Sequence, residues 1–167
     1  MTPTISSDRT CLACIAGVDF STAPNAPSCT PVTDCQPGEF VLTDPSATSD
    51  RSCVPCSTGI DFSTGMNATS CTPVTDCQPG EFVVSPPNAT ADRNCDSCNL
   101  GTDYSGTANS TACTPVTDCL PGEYQIDAPT LSTDRSCDSC TFEVDYTDIM
   151  NATACMTVSN CEPGEYI

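Results

Sequence analysis

The chain has 167 residues, of which 16 are Cys, and its 22 Asp and Glu residues outweigh 4 Lys and Arg residues to give a formal net charge of −18. It contains no His and no Trp, which excludes protease triads that need an imidazole base and His-ligated metals, and the scarcity of basic residues excludes a nucleic-acid or anionic-membrane surface. No apolar run is long enough to span a bilayer, and this density of Cys predicts a secreted or cell-surface disulfide scaffold that is not an enzyme.

The first eight residues carry neither the positive charge nor the apolar stretch of a secretory signal. Because a Cys-rich chain needs an oxidising compartment, we expect that a signal was removed or that the chain is a segment of something longer. The chain begins and ends in the middle of a repeat, which favours an internal segment of a longer array or a subunit that joins head to tail.

A period of 42 residues governs the sequence. Four Cys, one Arg and two aromatic residues recur at this spacing without insertion or deletion, and the run CTPVTDCQPGEFV at 29–41 reappears unchanged at 71–83. Such a repeat is the signature of a tandem array in which each unit contacts its neighbours.

Each unit contains a Pro-Gly pair followed by a short β-prone run, as in Pro37, Gly38 and the residues after them. Pro-Gly is typical of a type II turn, and no segment has a sustained 3.6-residue apolar period. The predicted fold is therefore a small disulfide-rich, mostly irregular or β structure, arranged as an elongated tandem array of 42-residue repeats with little or no helix.

The cysteines allow two regular pairing registers. In the crossed register, Cys11 pairs with Cys29 and Cys14 with Cys35, and no cysteine is left over, which is an advantage only if the chain is complete. In the neighbour register, Cys11 and Cys161 lack partners inside the chain and would form disulfides outside it. The neighbour pairs are Cys14–Cys29, Cys35–Cys53, Cys56–Cys71, Cys77–Cys95, Cys98–Cys113, Cys119–Cys137 and Cys140–Cys155.

The runs CQPGEFVLTDPSATSDRSCVPC at 35–56 and CSTGIDFSTGMNATSC at 56–71 resemble the cysteine-rich repeats of the tumour necrosis factor receptor family. The third and fifth cysteines of the full six-cysteine pattern are absent, and other extracellular Cys-x-x-Gly-x-Tyr repeats are similar. The resemblance covers the chain and implies the neighbour register. It divides the chain into the end of a preceding repeat (1–13), three repeats (14–55, 56–97 and 98–139) and a partial fourth repeat (140–167).

Metal and redox sites are not expected. A four-thiolate zinc site would use Cys-x2-Cys, but the second pair of cysteines in each unit is separated by five residues. Acidic residues are abundant but form no Asp-x-Asp-x-Asp-Gly calcium loop. No βαβ pattern surrounds the Cys-x-x-Cys pairs, so we expect no redox role and no cofactor.

The single Arg of each unit is preceded by Asp, as in Asp50 and Arg51. We expect the guanidinium to stack on an aromatic ring while the neighbouring Asp or a backbone carbonyl accepts its hydrogen bonds. The aromatic residues themselves are expected to form small cores beside the disulfides.

Four asparagines lie in N-glycosylation sequons: Asn67, Asn88, Asn109 and Asn151. Three of them are in phase with the repeat, whereas the matching Asn25 is followed by Pro27, which spoils the sequon. The sequence predicts N-linked sugar at the four sites and O-linked sugar on some of the many Ser and Thr residues. The alternative is that these residues only stabilise turns.

Two functions fit these patterns. The favoured hypothesis is an extracellular structural protein, a glycosylated rod, fibril or stalk whose partners are further copies of the same repeat, head to tail or laterally. The alternative is a receptor ectodomain that binds a protein ligand, as the family resemblance implies. The second function requires exposed loops that differ between repeats.

Overall fold

The structure is a computed structural model that describes residues 8–164 and Tyr166. Residues 1–7 of the predicted leading fragment, and Glu165 and Ile167 of the predicted fourth repeat, lie outside the described residues.

Within those residues, short strands form antiparallel two-stranded ribbons, and there is no helix. Each of the first three predicted repeats contributes a ribbon of two-residue strands and then a hairpin with strands of five and four residues. The described residues of the fourth repeat form the two-residue ribbon alone. The strands are β1 (Asp19–Phe20), β2 (Thr30–Pro31), β3 (Glu39–Thr43), β4 (Ser52–Pro55), β5 (Asp61–Phe62), β6 (Thr72–Pro73), β7 (Glu81–Ser85), β8 (Asn94–Ser97), β9 (Asp103–Tyr104), β10 (Thr114–Pro115), β11 (Glu123–Asp127), β12 (Ser136–Ser139), β13 (Asp145–Tyr146) and β14 (Met156–Thr157).

The Pro-Gly turns lead directly into the longer hairpins. The Glu39 N–H donates to the Gln36 carbonyl at 3.0 Å, and Gly38 has φ 90°, which is the geometry of a type II turn with Gly at its third position. Strand β3 follows at once and pairs with β4 in a register that places Val41 opposite Cys53. The predicted turn and the predicted β-prone run are both present.

Seven disulfide bonds staple the ribbons, and they follow the neighbour register that the resemblance implies. The bonds are Cys14–Cys29, Cys35–Cys53, Cys56–Cys71, Cys77–Cys95, Cys98–Cys113, Cys119–Cys137 and Cys140–Cys155.

The buried core consists of disulfides rather than aromatic rings. Cys35, Cys77 and Cys119 are fully buried, whereas Phe40 and Phe82 remain half-buried. A two-stranded ribbon has no second layer that could cover a ring, so the compact disulfide is the group that can be removed from water. Disulfide cores therefore take the place of the expected aromatic cores, and these rings stay half-buried.

The chain divides into two compact units, one formed by Met1–Thr75 and Pro87–Asp92 and the other by Asp76–Pro86 and Arg93–Ile167. Both are made of the same ribbons and disulfides. The repeat boundaries read from the sequence stay a prediction. In the described part of the chain, no helix is long and apolar enough to cross a membrane.

Candidate functional site

A closed hydrogen-bond ring joins one Arg, one Asn and one Asp, and we call it the clasp. The Nη1 atom of Arg51 donates to Asp34 Oδ1 at 2.9 Å and to Asn67 Oδ1 at 2.5 Å. Asn67 Nδ2 completes the ring by donating to the same Asp34 oxygen at 2.8 Å. Arg51 also donates to the Thr33 carbonyl at 2.9 Å, so a side chain that is only 12% exposed keeps its charge paired.

The backbone around Asn67 ties this clasp to the preceding repeat. The Cys35 N–H donates to Asn67 Oδ1 at 2.9 Å, and the Asn67 N–H donates to the Cys35 carbonyl at 3.0 Å. Asn67 has φ 54°, a left-handed conformation that Asn tolerates better than most residues. The clasp therefore needs Asn for its backbone as well as for its amide.

The same arrangement recurs in the later repeats. Each Asn has a positive φ, each Asn Nδ2 donates to the Asp, and each Arg pairs with both partners. The two further clasps consist of Arg93, Asn109 and Asp76, and of Arg135, Asn151 and Asp118.

Asn25 shows that the fold, and not the sequon, requires this asparagine. Arg9 donates to Asn25 Oδ1, and Asn25 has φ 57°, although Pro27 leaves it without a sequon. The recurrence of Asn at this position every 42 residues therefore has a structural cause. The recurrence by itself does not indicate that these asparagines are glycosylated.

Of the two acceptors that the sequence predicted for the arginine, the backbone carbonyl is confirmed, since Arg51 donates to the Thr33 carbonyl, but the neighbouring Asp does not pair with the guanidinium. Asp50, next to Arg51, accepts from the Arg51 backbone N–H at 2.7 Å and from both the N–H and the hydroxyl of Thr33, at 2.9 and 2.6 Å. The carboxylate that pairs with the Arg51 guanidinium is Asp34, which lies 17 residues earlier. The recurrence of Asp at positions 34, 76 and 118 in the sequence was a signal that could have revealed it.

Hydrogen bonds to the ionised form lower the pKa of the clasp carboxylates. For Asp34 the largest cause is the hydrogen bond from Asn67, followed by the one from Arg51, and Asp76 and Asp118 have the same causes in their own clasps. The pKa of Asp50 is also lowered, mainly because the Thr33 side chain donates to it. The clasps are therefore built around ionised Asp.

Several Cys and acidic side chains lie close enough together to suggest metal binding. In each of the five groups among the described residues, one carboxylate oxygen and two sulfurs lie within 4.8 Å of one another. Both sulfurs belong to a disulfide in every group. A disulfide sulfur is not the thiolate that binds zinc, so these groups do not form a thiolate site.

A second feature is the four-residue turn that opens each repeat, which we call the tip turn (residues 15–18, 57–60, 99–102 and 141–144). In the first, the Val18 N–H donates to the Ile15 carbonyl at 2.9 Å, and the Ile15 N–H donates to Asp19 Oδ1 at 2.6 Å. The same pair of bonds fixes the other three turns.

The tip turns share a backbone but differ in their side chains. Their most exposed apolar residues are Ile15 (63% exposed), Ile60 (68%), Leu100 (70%) and Phe142 (87%). The position of Phe142 holds Ala, Thr and Leu in the other turns, so each repeat presents a different apolar surface on the same support. This feature is not evident in the sequence, because the sequence does not establish which of these residues are exposed.

The remaining predicted site residues are Cys11, Cys161 and Asn88. Cys11 and Cys161 are exposed free cysteines, and their predicted bonds to partners outside the chain stay a prediction. Asn88 is exposed in the turn between β7 and β8.

The fold and its bonds define a class of molecule, a tandem array of small cysteine-rich repeats with the disulfide connectivity that the resemblance to tumour necrosis factor receptor repeats implies. Seven disulfides of this kind indicate an extracellular or secreted domain.

The comparisons with known proteins give the following. No protein-family model and no curated protein matches the chain. Among solved structures, it is similar to a chain of the human RANKL/OPG complex, with 20% sequence identity, coverage of 82% of this chain and 81% of that chain, and a TM-score of 0.36. It is also similar to a chain in the crystal structure of the mouse RANKL–OPG complex, with 20% identity, 80% and 96% coverage and a TM-score of 0.35.

Proposed function

We propose that this chain belongs to an extracellular ectodomain that binds a protein partner through its tip turns. The observation that carries the proposal is the combination of a constant, hydrogen-bonded turn with exposed apolar residues that differ from repeat to repeat. Recognition needs positions that vary on a rigid support, and exposed apolar side chains supply binding energy when a partner covers them.

The charge of the chain determines what kind of partner fits. With a net charge of −18 and only four basic residues, the chain repels other acidic surfaces and attracts basic ones. We therefore propose a partner whose binding face has an apolar centre with Lys and Arg around it.

A binding assay against purified extracellular proteins, with the whole chain immobilised, tests this function. We expect saturable binding to a basic protein, and we expect the double variant Leu100→Ser/Phe142→Ser to weaken it at least about tenfold, because two interface anchors that each contribute more than about 1 kcal/mol together exceed the roughly 1.4 kcal/mol of a tenfold change. Matched controls are Leu42→Ser and Ile126→Ser, which remove apolar residues of 59% and 55% exposure outside the tip turns. Equal losses in both sets, or no binder at all, would contradict the proposal.

A structural role is the second candidate, and the clasps favour it. Each clasp joins one predicted repeat to the next with the same bonds, as Asn67 does with Asp34 and Cys35, and such constancy suits an array that acts as a spacer, stalk or fibril. Its partners would be further copies of the repeat, with Cys11 and Cys161 bonded outside the chain. Electron microscopy of the native protein distinguishes the two: long fibres with a regular axial repeat favour this role, and discrete particles favour the first.

Neither proposed role involves catalysis or a cofactor. An enzyme would need a nucleophile or acid–base pair in a concave pocket, and the features on which both proposals rest are an exposed turn and a structural hydrogen-bond ring.

A further inference from the structure

We propose that Asn88 is the asparagine that carries N-linked sugar, and that Asn67, Asn109 and Asn151 remain unmodified in the folded chain because the clasps use their amide nitrogens. The sequence alone predicted sugar at all four sequons. The structure separates them into one exposed acceptor and three structural residues.

The amide of Asn88 is held in place by its oxygen alone. Asn88 Oδ1 accepts from the Thr90 N–H and from the Thr90 hydroxyl, both at 2.8 Å, while the Asn88 N–H donates to the Ala91 carbonyl at 3.0 Å. No other described residue accepts a hydrogen bond from Asn88 Nδ2, and the residue is exposed. The atom that would receive the sugar is therefore accessible, and the sequon Thr fixes the orientation of the amide.

The clasp asparagines differ at this atom. Their Nδ2 atoms lie 2.8, 2.8 and 2.9 Å from the carboxylates of Asp34, Asp76 and Asp118. Each of these asparagines is half-buried, and its Oδ1 accepts from an Arg and from a Cys backbone N–H. Both ends of the amide are therefore used in holding neighbouring repeats together.

The chemistry of sugar transfer conflicts with this use. The donor is a lipid-linked oligosaccharide diphosphate: a bond forms between Asn Nδ2 and sugar C1, the bond from C1 to the diphosphate oxygen breaks, the lipid diphosphate leaves with the electron pair, and Nδ2 loses one proton. One Nδ2 hydrogen is lost, and a bulky, hydrated group takes its place. At Asn67 that group would sit on a nitrogen already in contact with Asp34.

A sugar that reaches Asn67 before the clasp closes has to be accommodated when it closes, so the exclusion acts on the molecules that complete folding. A modified Asn67 must either hold its sugar inside the clasp or move out of the clasp. If Asn67 moves out, Arg51 loses one of its acceptors and the Cys35 N–H loses its acceptor. A sugar on Asn88 has no such effect, because its nitrogen makes no bond to the fold.

The test is site-by-site sugar occupancy in the whole chain secreted from a eukaryotic host behind a cleavable leader. Enzymatic removal of N-glycans in heavy-oxygen water marks each occupied Asn by a mass increase. We expect most secreted molecules to be marked at Asn88 and few at the three clasp asparagines, and we expect Asn88→Gln to remove the glycan mass shift. Equal occupancy at the clasp sites, or an unmarked Asn88, would overturn the proposal.

A matched variant tests the cause. Asp34→Ala removes the acceptor of Asn67 Nδ2 while leaving the Asn109 clasp intact within the same molecule. We expect occupancy at Asn67 to rise several-fold and occupancy at Asn109 to stay unchanged, with Asn88 as the internal reference for secretion. An unchanged Asn67 would refute the role of the clasp, and this outcome is independent of whether the tip turns bind a ligand.

Discussion

At the scale of single residues, the clasp assigns a distinct role to each member. Arg51 supplies two donors from one nitrogen, Asp34 supplies a charged acceptor, and Asn67 supplies both a donor and an acceptor. Neither Lys nor Gln would reproduce this arrangement, because Lys lacks the planar fork and Gln has a longer side chain and less tolerance for positive φ.

Acidification should weaken the clasps. The pKa of Asp34 is held below its ordinary value in the folded chain, chiefly by the hydrogen bond from Asn67 and then by the one from Arg51. A lowered folded pKa gives stability that is present above the unfolded pKa and is lost as the pH falls through the folded value. We therefore expect hydrogen-exchange protection of the Cys35 N–H, which donates to Asn67, to hold from neutral pH to about pH 4 and to fall below it.

Asp34→Asn is the variant that isolates this effect, since it removes the titrating group and keeps an oxygen acceptor. We expect its Cys35 N–H to be less protected at neutral pH and nearly insensitive to acid. Asp44→Asn, at an exposed carboxylate outside the clasp, serves as the control and should behave as the unaltered chain does. An acid response that persists in Asp34→Asn would assign the effect to the overall charge instead.

Gly38 is required for more than its positive φ. A Cβ at this position would lie 3.1 Å from Thr90 Cγ2 and 3.4 Å from Ala89 Cβ, whereas a Cβ at Gly122, with nearly the same φ, would meet nothing within 4 Å. Both substitutions to Ala place a side chain on a residue with positive φ, which destabilises the fold by about 1–2 kcal/mol. Only Gly38→Ala also overpacks its surroundings, which costs about a further 1–3 kcal/mol.

Hydrogen exchange provides matched measurements for these two substitutions. The Cys56 N–H donates to the Gly38 carbonyl and the Cys140 N–H donates to the Gly122 carbonyl, both at 2.8 Å. We expect Gly38→Ala to lower the protection of Cys56 by more than Gly122→Ala lowers that of Cys140. Equal losses would mean that Thr90 moves aside without cost.

At the scale of structural elements, the fourth tip turn departs from the others. The third residue of the turn is Gly17, Gly59 or Gly101 in the first three repeats, with φ between 80° and 84°, and Glu143 with φ 64° in the fourth. The hydrogen bonds of the turn are kept, so the fourth repeat holds a non-glycine residue in a left-handed conformation.

Glu143→Gly should therefore stabilise its turn by about 1 kcal/mol. The reciprocal change, Gly101→Glu, should destabilise the third turn by a similar amount, because a Cβ at Gly101 meets nothing within 4 Å and only the backbone preference opposes it. Exchange of the Val144 and Thr102 amide protons, which close the two turns, measures both changes. Opposite signs are expected, and a loss in both variants would show that the Glu143 side chain itself stabilises the turn.

At the scale of the whole molecule, stability comes from covalent links. The fully buried side chains among the described residues are cysteines, and many large apolar residues are exposed. Each disulfide closes 15 or 18 residues, for which the chain-entropy model gives about 3 kcal/mol. Ribbons of this length are at best marginally stable alone.

Reduction should consequently unfold the chain at room temperature without denaturant. We expect that reducing the seven disulfides and then blocking the thiols abolishes the protection of the backbone amides against hydrogen exchange in the hairpins of both compact units. A chain alkylated without prior reduction is the control, since only Cys11 and Cys161 are free. Protection that survives reduction would mean that the clasps and ribbons hold the fold without the disulfides.

The sequence by itself determined the features that depend on neighbours in the chain. The 42-residue period, the type II turns at Pro-Gly and the short strands after them follow from local conformational preferences, and the spacing of the cysteines limited their pairing to two registers. The resemblance to a receptor family then implied the register that the structure contains.

Only the tertiary structure decided which partner each polar group takes and which apolar groups meet water. Arg51 pairs with Asp34 and Asn67, which come from different loops, although Asp50 is adjacent in sequence. That choice depends on how two stapled ribbons bring their loops together, and a side chain close in sequence can be directed elsewhere by its own backbone hydrogen bonds. For the same reason, an asparagine that lies in a sequon can have its amide hydrogen-bonded within the fold, as Asn67 does.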